Sequence, residues 1–152
     1  MIQEKTSADI DIDKRIIKFI STQTCLAIST VNHNKPFCAS CFYTYLEDIN
    51  MLVFKSKPET QHIQNALKND SIAGIIHPDK LNKARIRGIQ FTGKFIVLKE
   101  TLLEKAKKKY YRQYPFSLAI SGELWAIEPE SIKLTDNQLG FGKRLDWEKK
   151  KQ

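Results

Sequence analysis

The sequence has little of what marks fibrous, disordered or disulfide-stapled chains. Only six glycines and five prolines occur among 152 residues, too few for a collagen-like or low-complexity chain. The three cysteines, Cys25, Cys38 and Cys41, are an odd number, and a chain of this length does not need disulfides to stabilise its core. We therefore predict an ordinary folded protein with free thiols, in a reducing compartment.

Long hydrophobic runs are also missing. No window approaches the roughly 18 consecutive apolar residues that a membrane span requires. The polar, acidic stretch 1–13 has neither the positive flank nor the apolar centre of a secretory signal. These absences predict a cytoplasmic protein without membrane association.

The length sets the expected domain organisation. A chain of 152 residues and 17.6 kDa fits around one hydrophobic core, because single cores remain economical well beyond this size. We predict a single domain over residues 1–152, with flexible ends at 1–10 and 148–152.

Acidic residues are outnumbered by basic ones, 17 to 25, which gives a net charge of +8. The excess is concentrated in residues 80–112, where eleven basic residues accompany only Glu100 and Glu104. This segment suggests either an anionic partner, such as a nucleic acid, or a solvated helix surface. Since no RRM, KH or zinc-finger signature accompanies it, nucleic acid is the less favoured interpretation.

Strand patterns dominate the chain. Runs rich in β-branched and aromatic residues occur at 24–31, 37–46, 51–54, 71–77, 85–98, 123–127 and 131–134, the last two separated at Pro129. Amphipathic patterns predict three helices: one capped by Asp11, one over 60–68 with Ile63, Ala66 and Leu67 inward, and one opened by Thr101. Several short strands with few helices favour a mainly β fold, a closed barrel with flanking helices.

The most informative segment joins the third strand to the second helix, over residues 54–62. Ser56, Lys57, Thr60 and His62 bring hydroxyl, ammonium and imidazole groups to a helix N-terminus, where free backbone N–H groups favour anions. The segment predicts a phosphate site, and without a glycine-rich P-loop it does not indicate a nucleoside triphosphate. The alternative is an ordinary N-cap beside an exposed histidine.

Two motifs carry a resemblance to a known family. The element order, together with Ile-Arg-Gly-Ile-Gln-Phe-Thr-Gly at 86–93 and the segment 132–143, resembles the FMN-binding split barrels similar to pyridoxamine 5'-phosphate oxidase. Within that superfamily the motifs resemble the bacterial YhbP family. The resemblance implies a six-stranded antiparallel split barrel of Greek-key topology, and a homodimer with FMN at its interface.

The resemblance also implies a set of cofactor-binding residues. The phosphate would be held by Ser56, Lys57, Thr60, Gln61 and His62. The isoalloxazine ring would be lined by backbone groups of Cys41, Phe42 and Tyr43, and Arg87, Gln90, Asn137 and Lys143 would reach the flavin, some across the interface.

By the same resemblance the protein is an FMN-binding flavoprotein, an oxidoreductase whose small-molecule substrate the sequence does not identify. The alternative is a non-enzymatic protein of the same fold that stores or senses flavin or haem, with His62 or His77 as an iron ligand. The oxidase binds its phosphorylated substrate through basic residues near its C-terminus, and only Lys143 and Arg144 stand in a comparable place. This departure argues against oxidation of pyridoxine phosphate.

Cys38 and Cys41 form a C-x-x-C pattern, which is typical of redox and zinc sites. Residues three apart in a strand point to opposite faces and lie about 10 Å apart along the chain, beyond the roughly 7 Å that a disulfide tolerates. Because no second C-x-x-C is present, we interpret both thiols as packing residues and predict no metal site.

Overall fold

The computed structural model describes residues 10–140 and 143–151. Within them, seven strands and three α-helices follow one another along the chain. Their bounds are α1 Lys14–Thr22, β1 Cys25–Asn32, β2 Lys35–Leu46, β3 Met51–Ser56, α2 Gln61–Lys68, β4 Ser71–Ile76, β5 Arg87–Ile96, α3 Glu100–Gln113, β6 Glu123–Asp136 and β7 Arg144–Glu148. Of the ends predicted to be flexible, residues 1–9 and 152 lie outside the described residues.

The strands form one antiparallel sheet in the order β3-β2-β1-β4-β5-β6-β7, and an additional pairing of β3 with β6 closes the first six into a barrel. Strands β1, β2 and β3 are consecutive neighbours, and β4 returns to lie beside β1, which is a Greek key. The predicted six-stranded antiparallel barrel is confirmed. Strand β7 is added outside the ring on β6; we did not predict it, because Leu145 and Trp147 alternate only briefly within a polar tail.

Strand β6 is continuous through Pro129, so the predicted interruption there is wrong. Gly93 pairs with Pro129 whereas Thr92 pairs with Ser131, and the register shift leaves Glu130 as an extra residue. Such a bulge accommodates a residue that has no N–H to give to the ladder. One 14-residue strand can therefore pair with β3, β5 and β7.

Two helix details also differ from the sequence prediction. Asp13, not Asp11, caps α1 by accepting a hydrogen bond from the Arg15 backbone N–H at 2.9 Å. On α2, Ile63 and Ala66 are buried as predicted, but Leu67 is half exposed. Only a narrow stripe of this short helix, at Ile63, Asn65 and Ala66, is buried against the barrel.

The core fills the barrel from the alternate, inward-facing positions of the strands. Phe19 and Ile20 of α1 and Ile63 and Ala66 of α2 belong to the same buried cluster as Tyr43 and the other inward residues. Helix α3 packs elsewhere, through Ala106 and Tyr110, against a second cluster on the outside of β3 and β6. The barrel therefore carries α1 and α2 against its interior cluster and α3 on its outer wall.

Close packing at Gly74 gives a first stability prediction. A Cβ at this position would lie 2.3 Å from Phe91 Cζ and 2.6 Å from the Ala27 carbonyl oxygen, and the backbone of β1 cannot move aside. We expect Gly74→Ala to lower the free energy of unfolding in urea by about 1–3 kcal/mol or more. Gly88→Ala is the matched control, since its nearest contact is the Ile76 carbonyl oxygen at 3.5 Å. Equal stability of the two variants would contradict the prediction.

Candidate functional site

The junction between β3 and α2 gathers three polar side chains. Strand β3 ends at Ser56 and α2 begins at Gln61. Ser56 Oγ lies 2.7 Å from His62 Nε2 and 3.3 Å from Thr60 Oγ1, and Thr60 Oγ1 lies 3.4 Å from the same ring nitrogen. Ser56, Thr60 and His62, which we call the hydroxyl–imidazole cluster, are each partly buried at the start of the helix.

The local chain folds so that this helix start stays open. The Thr60 backbone N–H and its hydroxyl both donate to the Lys57 carbonyl oxygen, at 3.2 and 2.8 Å, which closes a turn through Pro58. Thr60 is the N-cap residue of α2, yet its side chain accepts no hydrogen bond from the helix. The first N–H groups of an α-helix have no intrahelical acceptor, so those of α2 are available to an anion.

The charge state of the cluster is set by burial and by its neighbours. Burial lowers the pKa of His62, so its ring is neutral at pH 7 and can donate one N–H and accept through the other nitrogen. The ammonium group of Lys57 belongs to an exposed residue of the same turn. The cluster is therefore a set of neutral donors with one cation at its edge.

Gln61 does not join this cluster. Its side-chain amide donates to Asn65 Oδ1 at 2.7 Å, and Asn65 Nδ2 in turn donates to Thr30 Oγ1 at 3.1 Å. Asn65 is 3 % exposed, so this chain of amides ties α2 to β1 beneath the site. Asn65 was not predicted to take part, although a polar residue between Ile63 and Ala66 on the apolar face of α2 is a signal for a buried hydrogen bond.

The barrel is split beside the cluster. The ladder between β2 and β3 begins at Leu46–Met51 and ends at Tyr43–Phe54, whereas Ser56 pairs with Glu123 of β6. The indole N–H of Trp125 also donates to the Ser56 carbonyl oxygen at 3.0 Å. Among the described residues, Cys41 and Phe42 consequently have no ladder partner on the β3 side. Their backbone groups border a gap next to Ser56.

The side chains of this part of β2 point in alternate directions. Cys41 is buried, and burial raises its pKa to about 11, so its thiol is protonated and unreactive at neutral pH. Tyr43 is fully buried and donates its hydroxyl to the Ile20 carbonyl oxygen at 2.6 Å. Phe42 is 52 % exposed, with its ring 5.7 Å from that of Tyr114. Cys38 is exposed and free, on the opposite face from Cys41.

Arg87 and Asn137 lie in a second polar group, around Asp136 at the end of β6. Asp136 Oδ2 accepts a hydrogen bond from Arg85 Nη2 at 3.2 Å and lies 3.3 Å from Arg87 Nε, an ion pair without hydrogen-bond geometry. The Arg87 guanidinium also stacks 4.9 Å from the centre of the Phe19 ring. Asn137 donates its side-chain amide to the Ala84 carbonyl oxygen at 3.0 Å, which anchors the loop before β5.

The last two predicted residues belong to neither group. Gln90 lies exposed on the outer face of β5, paired with Lys133 of β6, and Lys143 follows Gly140, whose carbonyl oxygen accepts its backbone N–H at 3.2 Å. Only β6 separates β3 from β5 around the closed barrel, but Ser56 pairs with Glu123 at the start of this 14-residue strand, whereas Arg87 pairs with Asp136 at its end. No hydrogen bond or ion pair between described residues links the Asp136 group to the hydroxyl–imidazole cluster.

Asp136 supports a second stability prediction. Its burial would raise its pKa, but the Gln138 N–H and the two guanidinium groups outweigh this effect, and its pKa is lowered. A lowered folded-state pKa gives stability that is present above the unfolded value near pH 3.9 and is lost as the pH falls through the folded value. We expect Asp136→Asn to lower the Tm at pH 7 by several degrees (~1–2 kcal/mol). Below pH 4 the Tm of the variant should fall less steeply with decreasing pH than that of the wild type. An unchanged acid profile in thermal unfolding would contradict this.

Two other features are absent from the described residues. These residues contain no group of three or more His, Cys, Asp or Glu side chains placed to hold a metal ion. Among the helices described here, none has the length and apolar character to cross a bilayer.

Comparison with known proteins places the chain in a family. No family model matches it, but a UPF0306 protein of Photorhabdus laumondii is 33% identical over 134 residues, covering 88% of this chain and 94% of the relative. A UPF0306 protein of an Enterobacter species is 33% identical over 132 residues, covering 87% and 93%.

Solved structures show the fold at low identity. A heme-binding protein from Mycobacterium smegmatis has a TM-score of 0.74 at 9% identity, covering 91% of this chain and 60% of that one. An FAD-binding protein from the same organism has 0.67 at 12%, covering 84% and 96%. A candidate pyridoxamine 5'-phosphate oxidase from Listeria innocua has 0.61 at 13%, covering 80% and 95%. The chain therefore belongs to the UPF0306 family and has the split-barrel fold of the pyridoxamine 5'-phosphate oxidase-like proteins.

Proposed function

We propose that the protein is an FMN-binding flavoprotein that works as an oxidoreductase, with the FMN phosphate held at the start of α2. The observation that carries this proposal is the hydroxyl–imidazole cluster beside the open helix N-terminus. Flavin- and heme-binding proteins of the same fold support it.

The cluster fits a phosphate monoester. The side-chain hydrogen bonds of Ser56, Thr60 and His62 run only among themselves and to the Lys57 carbonyl oxygen within the described chain. Two hydroxyls, one imidazole N–H and the helix N–H groups could instead donate to phosphate oxygens, with Lys57 adding charge. One helix start with three side-chain donors suits a single terminal phosphate, which favours FMN over the diphosphate of FAD.

The gap between β2 and β3 supports a binding region for the ring next to this cluster. Backbone groups of Cys41, Phe42 and Tyr43 border it, and the β2–β3 ladder ends there at Tyr43–Phe54 while β3 continues to Ser56 along β6. A bound flavin supplies the electron-transfer chemistry. The chain would bind and orient it: the cluster fixes the phosphate end, and the exposed Phe42 ring limits access of water from one side.

We further propose that the protein is a homodimer with each FMN at the interface. The outward positions at the centre of the sheet carry no charged side chain, although 28% of the chain is charged. These positions are Cys25, Ala27 and Ser29 of β1, Cys38, Ser40 and Phe42 of β2, Ala73 and Ile75 of β4, and Gln90 and Thr92 of β5. We call this surface the uncharged outer face. Depletion of charge is typical of interface centres.

A dimer would also account for the separation of the proposed site residues. Gln90 belongs to the uncharged outer face, and Arg87, Asn137 and Lys143 lie near the end of β6, whereas Ser56 of the phosphate cluster pairs with Glu123 at its start. In a dimer these residues would approach the flavin of the partner subunit, which is the arrangement that the resemblance implies.

The decisive experiment is the absorption spectrum of freshly purified protein, followed by denaturation and chromatographic identification of what is released. We expect FMN at close to one molecule per chain, and reduction of the bound flavin by a nicotinamide dinucleotide. Released haem would favour the binding and storage function instead. A colourless protein that also refuses added FMN would overturn the proposal, and flavin that no reductant reaches would remove the oxidoreductase part.

A further inference from the structure

A basic groove runs along α3 on the outer wall of the barrel. It is lined by Lys105, Lys108, Lys109 and Arg112 on one side and by Leu46 and Asp48 on the other, with a volume of about 430 Å³. The spacings of three, four and seven residues place the four basic residues on one face of the helix. All four are exposed, and Leu46 forms a buried apolar floor.

The charge of this groove is only partly compensated. Asp48 is its one carboxylate and forms an ion pair with Lys105, which leaves a surplus of three positive charges. Lys109 Nζ donates to the Tyr45 carbonyl oxygen at 2.6 Å, which holds its ammonium against the strand. Lys108 and Arg112 form no ion pair with any described residue. Four cations around a concave surface repel one another, and an anion between them would relieve that repulsion.

The extent of the groove limits the kind of anion it can hold. From Lys105 to Arg112 the helix advances about 10 Å. The preceding turn carries Glu100 and Glu104, and the helix ends at Gln113 before Pro115, so the positive stripe stops at both ends. A nucleic acid backbone would need cations beyond these limits, whereas the volume is that of a small-molecule site.

We propose that this groove binds a small molecule that carries two or three linked phosphate groups. The guanidinium of Arg112 offers paired N–H donors for phosphate oxygens, and Lys105 and Lys108 add mobile ammonium groups. The site is separate from the hydroxyl–imidazole cluster and does not rest on FMN binding. It gives a role to the basic residues of α3, which the proposed flavin site leaves without one.

The test is calorimetric titration of the full chain with inorganic tripolyphosphate. We expect binding of one tripolyphosphate per chain, weakened at least about tenfold in the variant Lys105→Gln/Lys108→Gln/Arg112→Gln. The control Lys14→Gln/Lys18→Gln/Lys35→Gln removes the same charge from exposed positions elsewhere and is expected to bind as the wild type does, within about threefold.

The proposal would be overturned by no binding to the wild type at millimolar tripolyphosphate, by an equal loss in both triple variants, or by tighter binding of single-stranded oligothymidylate that strengthens with its length. The variant Ser56→Ala/Thr60→Val separates this inference from the flavin proposal, because it is expected to lose FMN while binding tripolyphosphate normally. If tripolyphosphate binding were lost in that variant, the anion would occupy the cluster and not the groove.

Discussion

Ser56→Ala combined with Thr60→Val is expected to lower the affinity for FMN by about two to four orders of magnitude. Both hydroxyls lie in the cluster at the start of α2, within 3.4 Å of His62 Nε2. A hydrogen bond to a charged group contributes about 1.5–3 kcal/mol, and each 1.4 kcal/mol is tenfold in affinity. Neither substitution removes a bond between strands, so the fold should persist.

The measurement is a titration of the apo-protein with FMN, in which binding is monitored through the quenching of flavin fluorescence. Ser21→Ala/Thr101→Val is the matched control, because it removes the same two hydroxyls from exposed helix positions. Thermal unfolding of each apo-variant checks that folding is intact. Wild-type affinity in a folded Ser56→Ala/Thr60→Val variant would show that the phosphate is bound elsewhere.

Ala27→Arg combined with Ile75→Arg is expected to convert a dimer into monomers and to release FMN. The two residues are register partners on β1 and β4, at the centre of the uncharged outer face. In a symmetric dimer, four guanidinium groups would meet there without counter-charges. Like charges juxtaposed in an interface cost several kcal/mol.

Light scattering coupled to size-exclusion chromatography measures this effect. The wild type should have twice the chain mass of 17.6 kDa and the variant the mass of one chain. Ser21→Arg/Thr101→Arg adds the same charge at exposed helix positions and should remain dimeric with its flavin. A monomeric wild type, or a variant that stays dimeric with FMN bound, would contradict the proposed interface.

The sequence predicted most strands and helices well, because their patterns depend only on residues within the same element. The alternation in β1, β2 and β4 and the stripes of the helices follow from the side-chain period of each element. The errors concern segments in which contacts with distant residues determine whether a strand forms. Pro129 stays within β6 because the bulge opposite Gly93 removes the need for its N–H. Strand β7 forms because Leu145 and Trp147 pack, partly buried, against the core cluster.

In the candidate site, too, contacts between residues close in the chain were predicted and contacts between distant residues were not. Ser56, Thr60 and His62 are close in the chain, so a strand end followed by a helix start was sufficient to predict that they meet. Gln61 was assigned to the same cluster from proximity alone, yet its amide bonds to Asn65. The buried Asn65–Thr30 contact joins residues 35 positions apart, and no local pattern indicates such a partner.

The strand-rich barrel and the polar junction at residues 56–62 could be predicted from the sequence, because both depend on neighbouring residues and on the periods of strand and helix. The tertiary structure set the gap between β2 and β3, where their ladder ends at Tyr43–Phe54 while β3 continues to Ser56 along β6. It alone also decided the Asp136 ion pairs and the basic groove, where α3 meets Leu46 and Asp48. These features join residues far apart in the chain, and their geometry is fixed by packing, which no local pattern encodes.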